Sequence, residues 1–378
     1  MNRKLNLSLL SQLMVLTAGI GWAGVSFGSK LPFLTIGTGN TTGVYYSAGH
    51  AVAKVYNPSA AEHGFRLDAE ASNGSVDNIN KVLDGTWAFG IAQADMLFKA
   101  QEGLGPWQGT PHKNLRAVAG LYTEAVLFVT RADDNIRSLA DLRGKTLNIE
   151  APGSSDHENA LTILKAVGLD PQKDLTITEE KTVDASELLK NGDIDAYIYT
   201  VGHPNMAIRQ DVVSGRKIRL VPVDPPLVEE FTRKRSFLTK TRVNTAYYPG
   251  LDNQGDIYTL GVKAILFTKA DTPDATVSAV VSELIDNFDR FQRQHPAFAE
   301  VELNELGRDT VVPLHPGAEA VYRQHGHMLG KVSPGRHQTI SDPQQSCGYE
   351  DGTWKGPEPL LLVAADFQRW AQYREEVR

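Results

Sequence analysis

Four short stretches of the chain combine glycine with small hydroxyl or amide side chains, and each stands directly before a helical pattern: 37–43, 72–78, 152–156 and 202–205. Such a loop offers unpaired backbone N–H groups at the positive end of a helix dipole, which is chemistry for holding a small anion. Glycine before a helix also serves a plain turn. One loop of this kind therefore carries little weight, and four carry more. None of them contains Arg or Lys, so the anion would be held by neutral donors.

The same residues fit other chemistries poorly. The first loop reads G-x-G-x-x-x-G, its third glycine one place late for a dinucleotide fingerprint, and no acid follows at a strand end to take a ribose. Gly144-Lys145-Thr146 has Leu139 where a P-loop needs glycine. There is no G-x-S-x-G elbow, and His157-Glu158 is followed by Leu161 where a helical zinc protease needs histidine. Asp193 and Asp195 flank Ile194 as solvated turn residues. His325, His327 and Cys347 lack zinc spacing, so neither metal nor cofactor is expected. His203, before Pro204 at a strand-to-helix turn, falls in a cap region facing a cleft, with the proline in the first helical turn. Tyr45 and Tyr46 point about 100 degrees apart on a helix, so one faces the core and the other the cleft.

The elements that must position these loops follow from composition and periodicity. A chain of 378 residues, 41% hydrophobic and 22% charged, suits two globular domains and excludes disorder or a polytopic membrane protein. A net charge of −7 without a dense basic run argues against nucleic acid, and the single cysteine excludes an internal disulfide. Arg3 and Lys4 precede an apolar stretch that ends in Gly24, Ser26 and Gly28. This reads as a signal peptide over 1–28 and predicts export to the periplasm.

Beyond it, strand-like runs alternate with helical patterns, which implies parallel sheet with crossover helices. The first rhythm has strands at 33–37, 65–70 and 87–92, with helices at 44–57 and 76–83, the second helix capped by Ser75. A second rhythm begins near Val126 and runs to a strand at 218–223. Its helices are expected to start at capping boxes formed by Ser155 with Glu158 and by Asp184 with Glu187. A strand at 256–267 and a helix carrying Val277, Val281, Leu284, Phe288 and Phe291 on one side would return to the first unit. The resulting domains are a first α/β lobe (29–124 with 240–330), a second (125–239) and a C-terminal extension (331–378).

The ordered series Gly37-Thr38-Gly39 to Gly43 with Tyr45-Tyr46, Gly74-Ser75-Val76 with Asn78-Ile79, Gln93-Ala94-Asp95, Leu121-Tyr122, Pro152-Gly153-Ser154, Ile194-Asp195-Ala196 and Gly202-His203-Pro204-Asn205 resembles the TAXI family of TRAP-transporter solute receptors. The resemblance covers about 33–330. It implies an α/β, two-lobe periplasmic-binding-protein type II fold, each lobe a mixed sheet flanked by helices, with crossing strands between. It also implies closure on a small carboxylate, a glutamate-like amino acid or dicarboxylate, delivered to a sodium-coupled TRAP permease without catalysis. Carried over position by position, the ligand-binding residues would be Thr38, Thr41, Tyr45, Ser75, Asn78, Gln93 and Asp95 in one lobe and Ser154, Ser155 and His203 in the other. A monomer with no nucleic-acid partner is expected. Rival readings are a ligand-sensing subunit of a signalling system, and a small-molecule enzyme using Asp95 or His203 as base.

Overall fold

The computed structural model describes residues 31–213, 217–326, 349–350 and 353–354. The expected signal peptide, His327, Cys347 and nearly all of the expected C-terminal extension lie outside them. The chain alternates as the apolar spacing requires: β1 (Phe33–Gly37), α1 (Val44–Tyr56), α2 (Ala60–His63), β2 (Arg66–Glu70), α3 (Ser75–Leu83), β3 (Phe89–Gln93) and α4 (Ala94–Glu102). The long strand β4 (Leu115–Arg131) leads to β5 (Thr146–Asn148), α5 (Ser155–Ala166), β6 (Thr176–Thr178), α6 (Thr182–Asn191), β7 (Ala196–Val201), α7 (Met206–Val213), β8 (Ile218–Pro222) and α8 (Pro225–Lys234). Then come β9 (Leu238–Val243), β10 (Ile257–Lys269), α9 (Asp274–Asp286), α10 (Phe288–Gln292) and α11 (Pro316–Gln324). Separately, β11 (Tyr349–Glu350) pairs antiparallel with β12 (Thr353–Trp354).

Strands β1 to β10 form one mixed sheet flanked by helices, in the order β2-β1-β3-β10-β4-β7-β5-β6, with β8 also on β4 and β9 also on β10. The β1–β2 and β1–β3 pairs are parallel, as are β5–β6 and β5–β7. Between these two groups run the longest strands, β4 and β10, antiparallel to each other. β4 changes partner at Ala125, which sits opposite Gly261 on one side and opposite Val201 on the other. Two α/β lobes thus share two continuous strands.

The cores follow the same division. Val76, Ile79, Met96, Leu97 and Phe267 pack together at one end, and Phe128, Leu147, Ile163, Ile198 and Val221 at the other. A third cluster runs from Ile36 and Tyr56 through Ala125 and Leu127 to Tyr197 and Ile218, joining them. On α1, Ala48, Val52 and Val55 form the expected buried stripe.

Helix starts depart from expectation in instructive ways. α3 is capped by the backbone of Gly74 (φ 105°, ψ −152°), a conformation that favours glycine, and Ser75 is already helical. In α5 the cap is Ser154, whose Oγ accepts the His157 N–H at 3.2 Å, one residue before the expected position. α6 begins two residues before Asp184, after Lys181, without a side-chain cap. Pro204 lies outside α7, and Asn205 Oδ1 instead accepts the Ile208 N–H at 3.1 Å. The single helix expected near the first unit's return is split at Asn287.

Candidate functional site

Helices α1, α3, α4, α5 and α6 all begin at one cavity between the lobes, which encloses about 70 Å³. The starts of α3 and α5 meet head to head: Asp77 N–H donates to the Gly153 carbonyl at 3.3 Å, and a Cβ on Gly74 would lie 3.9 Å from Ser154 Cα. This is the carboxyl end of β3, β5 and β7, where an α/β sheet leaves backbone N–H groups free for a ligand.

Of the residues singled out from sequence, Tyr45, Gln93, Ser154 and Ser155 line this cavity. Thr38, Ser75 and Asn78 are fully buried behind it as a hydrogen-bonded frame. Asn78 Nδ2 donates to the carbonyls of Thr38 (2.6 Å) and Ile91 (2.7 Å), its Oδ1 accepts from Ser72 Oγ at 2.7 Å, and Ser75 Oγ accepts the Gln93 N–H at 3.1 Å. Thr41 is exposed. Asp95 is buried next to the site without lining it, and burial raises its pKa against the opposing charge of Lys99. His203 lines a different cavity; its Nδ1 lies 2.6 Å from the Tyr248 hydroxyl, and burial lowers its pKa to about 3, so the imidazole is neutral. Tyr45 is the inward member of the tyrosine pair, while Tyr46 packs edge-on against His50.

Sequence reasoning missed two of the carboxyl groups, Glu124 and Glu150. Glu124, Glu150 and Asp156 line the cavity with one basic residue, Lys181. Glu124 accepts the Tyr45 hydroxyl at 2.9 Å. Burial, reinforced by the charges of Asp156 and Asp95, raises its pKa well above the usual carboxylate range. Asp156 accepts the Thr200 N–H at 2.8 Å, and burial first, then the charge of Glu150, pushes its pKa up to about 7. Glu150 accepts the Thr182 N–H at 2.7 Å and the Thr182 hydroxyl; burial raises its pKa too. The signal for Glu124 was in plain view: it is a lone carboxylate in the apolar run Ala117–Val129. A charged residue inside a buried strand is a candidate for function.

The lobes touch across the cavity mouth. Asn159 Nδ2 donates to Gln93 Oε1 at 2.9 Å, Asn205 Nδ2 donates to the Thr42 carbonyl at 2.9 Å, and Lys99 pairs with Glu158 at 3.5 Å. The arrangement is that of a closed cleft. Its walls can donate hydrogen bonds from helix N-termini and, in its protonated form, from the Asp156 carboxyl group, and neither His203 nor Asp95 reaches its interior.

Among the described residues, no helix is long and apolar enough to cross a membrane, and no group of His, Cys, Asp and Glu could hold a metal ion. The periplasmic binding protein BugD superposes with a TM-score of 0.50 at 13% identity, covering 80% of this chain and 100% of that one. At this identity the likeness is one of fold: the two-lobe α/β fold of a periplasmic binding protein. MatC from Rhodopseudomonas palustris with bound malate gives 0.48 at 14% identity (71% of this chain, 90% of that one). The GluR0 ligand-binding core from Nostoc punctiforme in complex with L-glutamate gives 0.43 at 14% (71% and 100%). The sequence pattern of the NMT1-like family matches residues 36–326, well over half of the molecule, and the chain belongs to the NMT1-like family.

Proposed function

We propose that this chain is an exported, periplasmic solute receptor that captures a small carboxylate, a glutamate-like amino acid or a dicarboxylate, and hands it to a sodium-coupled TRAP permease. Residues 29–124 with 240–330 would form one lobe and 125–239 the other. It would act as a monomer, without catalysis and without nucleic acid. The observation that carries the reading is the cavity between the lobes on which the N-termini of α1, α3, α4, α5 and α6 converge.

The acidic lining is compatible with a carboxylate. A carboxyl group kept neutral by burial donates an O–H, and such a bond to a charged acceptor contributes about 1.5 to 3 kcal/mol. Burial favours the neutral form of Glu124, Asp156 is half-protonated near pH 7, and Lys181 stands at the rim of the same lining. Tyr45, Gln93, Ser154 and Ser155 would make direct contacts. Thr38, Ser75 and Asn78 would hold their loops, and Thr41, Asp95 and His203 would act from outside the cavity.

The reading is tested by thermal-shift screening of the purified chain against amino acids and organic acids, followed by mass spectrometry of the hit after hours of incubation. At a hundredfold excess over Kd, binding stabilises the native state by roughly 2.7 kcal/mol. A hit among dicarboxylates or acidic amino acids, recovered unchanged, is expected. Shifts only with sugars or nucleotides would remove the carboxylate reading, and a product that depends on Asp95 or His203 would replace the receptor with an enzyme.

A further inference from the structure

A row of polar side chains crosses the cleft from one lobe to the other. It begins at Tyr45 of α1, whose hydroxyl donates to Glu124 Oε2 at 2.9 Å. The side-chain amide of Gln93 stands beside Glu124 and favours its charged form, as a donating Nε2 does and an Oε1 does not. At its other end the same amide accepts, through Oε1, the Asn159 Nδ2 at 2.9 Å. Asn159 belongs to α5 in the opposite lobe, and its Nδ2 also donates to Thr200 Oγ1 of β7 at 3.3 Å.

An amide has a donor end and an acceptor end, and half a turn exchanges them. For Gln93 the choice matters, because it lines the cavity and is 1% exposed, with no water to satisfy a misdirected end. Its own lobe fixes the backbone, whose N–H donates to Ser75 Oγ at 3.1 Å. Among the described residues, Asn159 alone hydrogen-bonds Oε1, and Asn159 does not itself line the cavity. Without that donor the amide can turn its oxygen towards Glu124, setting acceptor against acceptor unless the carboxyl holds a proton.

We propose that Asn159 is a positioning residue of the cleft: from the second lobe it holds Gln93 Oε1, so that Gln93 Nε2 faces Glu124 and the solute. Its consequence for binding rests on the solute reading of the cavity. On closure, a carboxylate guest meets N–H rather than C=O.

Two measurements test this. The first follows the Glu124 carboxyl by carbon-13 NMR of chain labelled at its glutamate side-chain carboxyls, with the signal identified by its loss in Glu124→Gln. It is run without ligand and with saturating L-glutamate or succinate. Asn159→Leu should raise the titration midpoint by about half a pH unit or more, and Asn159→Gln should restore it. In a Gln93→Met background Asn159→Leu should change nothing, which separates an effect through Gln93 from general loosening of the fold. The titrating groups around Glu124, which are Tyr45 of α1, Tyr122 of β4, Asp95 of α4, Asp156 of α5 and Tyr199 of β7, are the same in all these variants. The second measurement is calorimetry with L-glutamate and with succinate, where Asn159→Leu should weaken binding about tenfold, and only while Gln93 is present. A midpoint unmoved in Asn159→Leu under every condition, or an equal change with and without Gln93, overturns the proposal. A displaced midpoint with neither solute bound keeps the positioning role and removes the carboxylate reading. Binding of a solute with an unmoved midpoint keeps that reading and overturns the role of Asn159.

Discussion

Replacing Asp156 by Asn isolates the most strongly placed titrating group of the cleft. Its pKa is raised from 3.8 to about 7, chiefly by burial. Between those two values the native protein holds a proton that the unfolded chain has released, so stability is complete below the lower value and falls as pH rises through the window. Every tenfold difference in proton affinity between the folded and unfolded chain corresponds to about 1.4 kcal/mol, so the window amounts to about 4 kcal/mol. Asparagine keeps an oxygen for the Thr200 N–H, now at 2.8 Å, and carries no charge to bury. In urea unfolding, the Asp156→Asn variant should therefore exceed the parent by one to several kcal/mol at pH 8, and the difference should shrink to nothing by about pH 4. Equal stability at pH 8, or an offset that does not change with pH, would refute the argument that burial of this carboxyl governs the cleft.

Tyr45→Phe removes the 2.9 Å hydroxyl donor to Glu124 and should cost about 1 to 3 kcal/mol of stability by chemical denaturation. Asn78→Ala removes three short hydrogen bonds of the frame behind the cleft, so it should lower the melting temperature as well as solute affinity, whereas Ser154→Ala should lower affinity with a smaller effect on melting. Gly37→Ala would place a methyl group 2.1 Å from the Trp87 ring and 2.8 Å from Asn78 Oδ1, and soluble yield on expression should collapse. Affinity for a dicarboxylate, measured by calorimetry, should fall as pH rises through about 7, because Asp156 then gives up the proton it would donate.

Much of the fold could be read from periodicity, because the apolar stripe of α1 and the short runs that became β1, β2, β3 and β7 are local patterns. The continuity of β4 was not local: its first half, Leu115–Tyr122, is as apolar as its second, and it is the pairing of the first part with β10 and of the rest with β7 and β8 that makes one strand of both. Helix starts were misplaced by one to three residues, since Gly74 and Lys181 cap through backbone geometry rather than side-chain chemistry. Of the four loops with small polar residues, 37–43, 72–78 and 152–156 stand at helix starts on the cavity and 202–205 does not. Which of their side chains turn inward depends on tertiary packing, and that is why Thr41 stands in solvent and His203 faces the opposite cavity. Glu124 and Glu150 escaped because a search for anion donors passes over acids, whose protonation is set by burial that no spacing reveals.

The seventeen-residue β4 has a mechanical consequence. A pair of lobes strung on a flexible linker can melt one after the other, each as its own calorimetric unit. Here neither lobe owns its central strand: β3 and β9 hold β10, β7 and β8 hold β4, and β4 and β10 hold each other. Melting either half strips hydrogen-bonded neighbours from a strand that continues into the other. The lobes therefore share one cooperative transition, and a destabilising change in one is felt as loss of both.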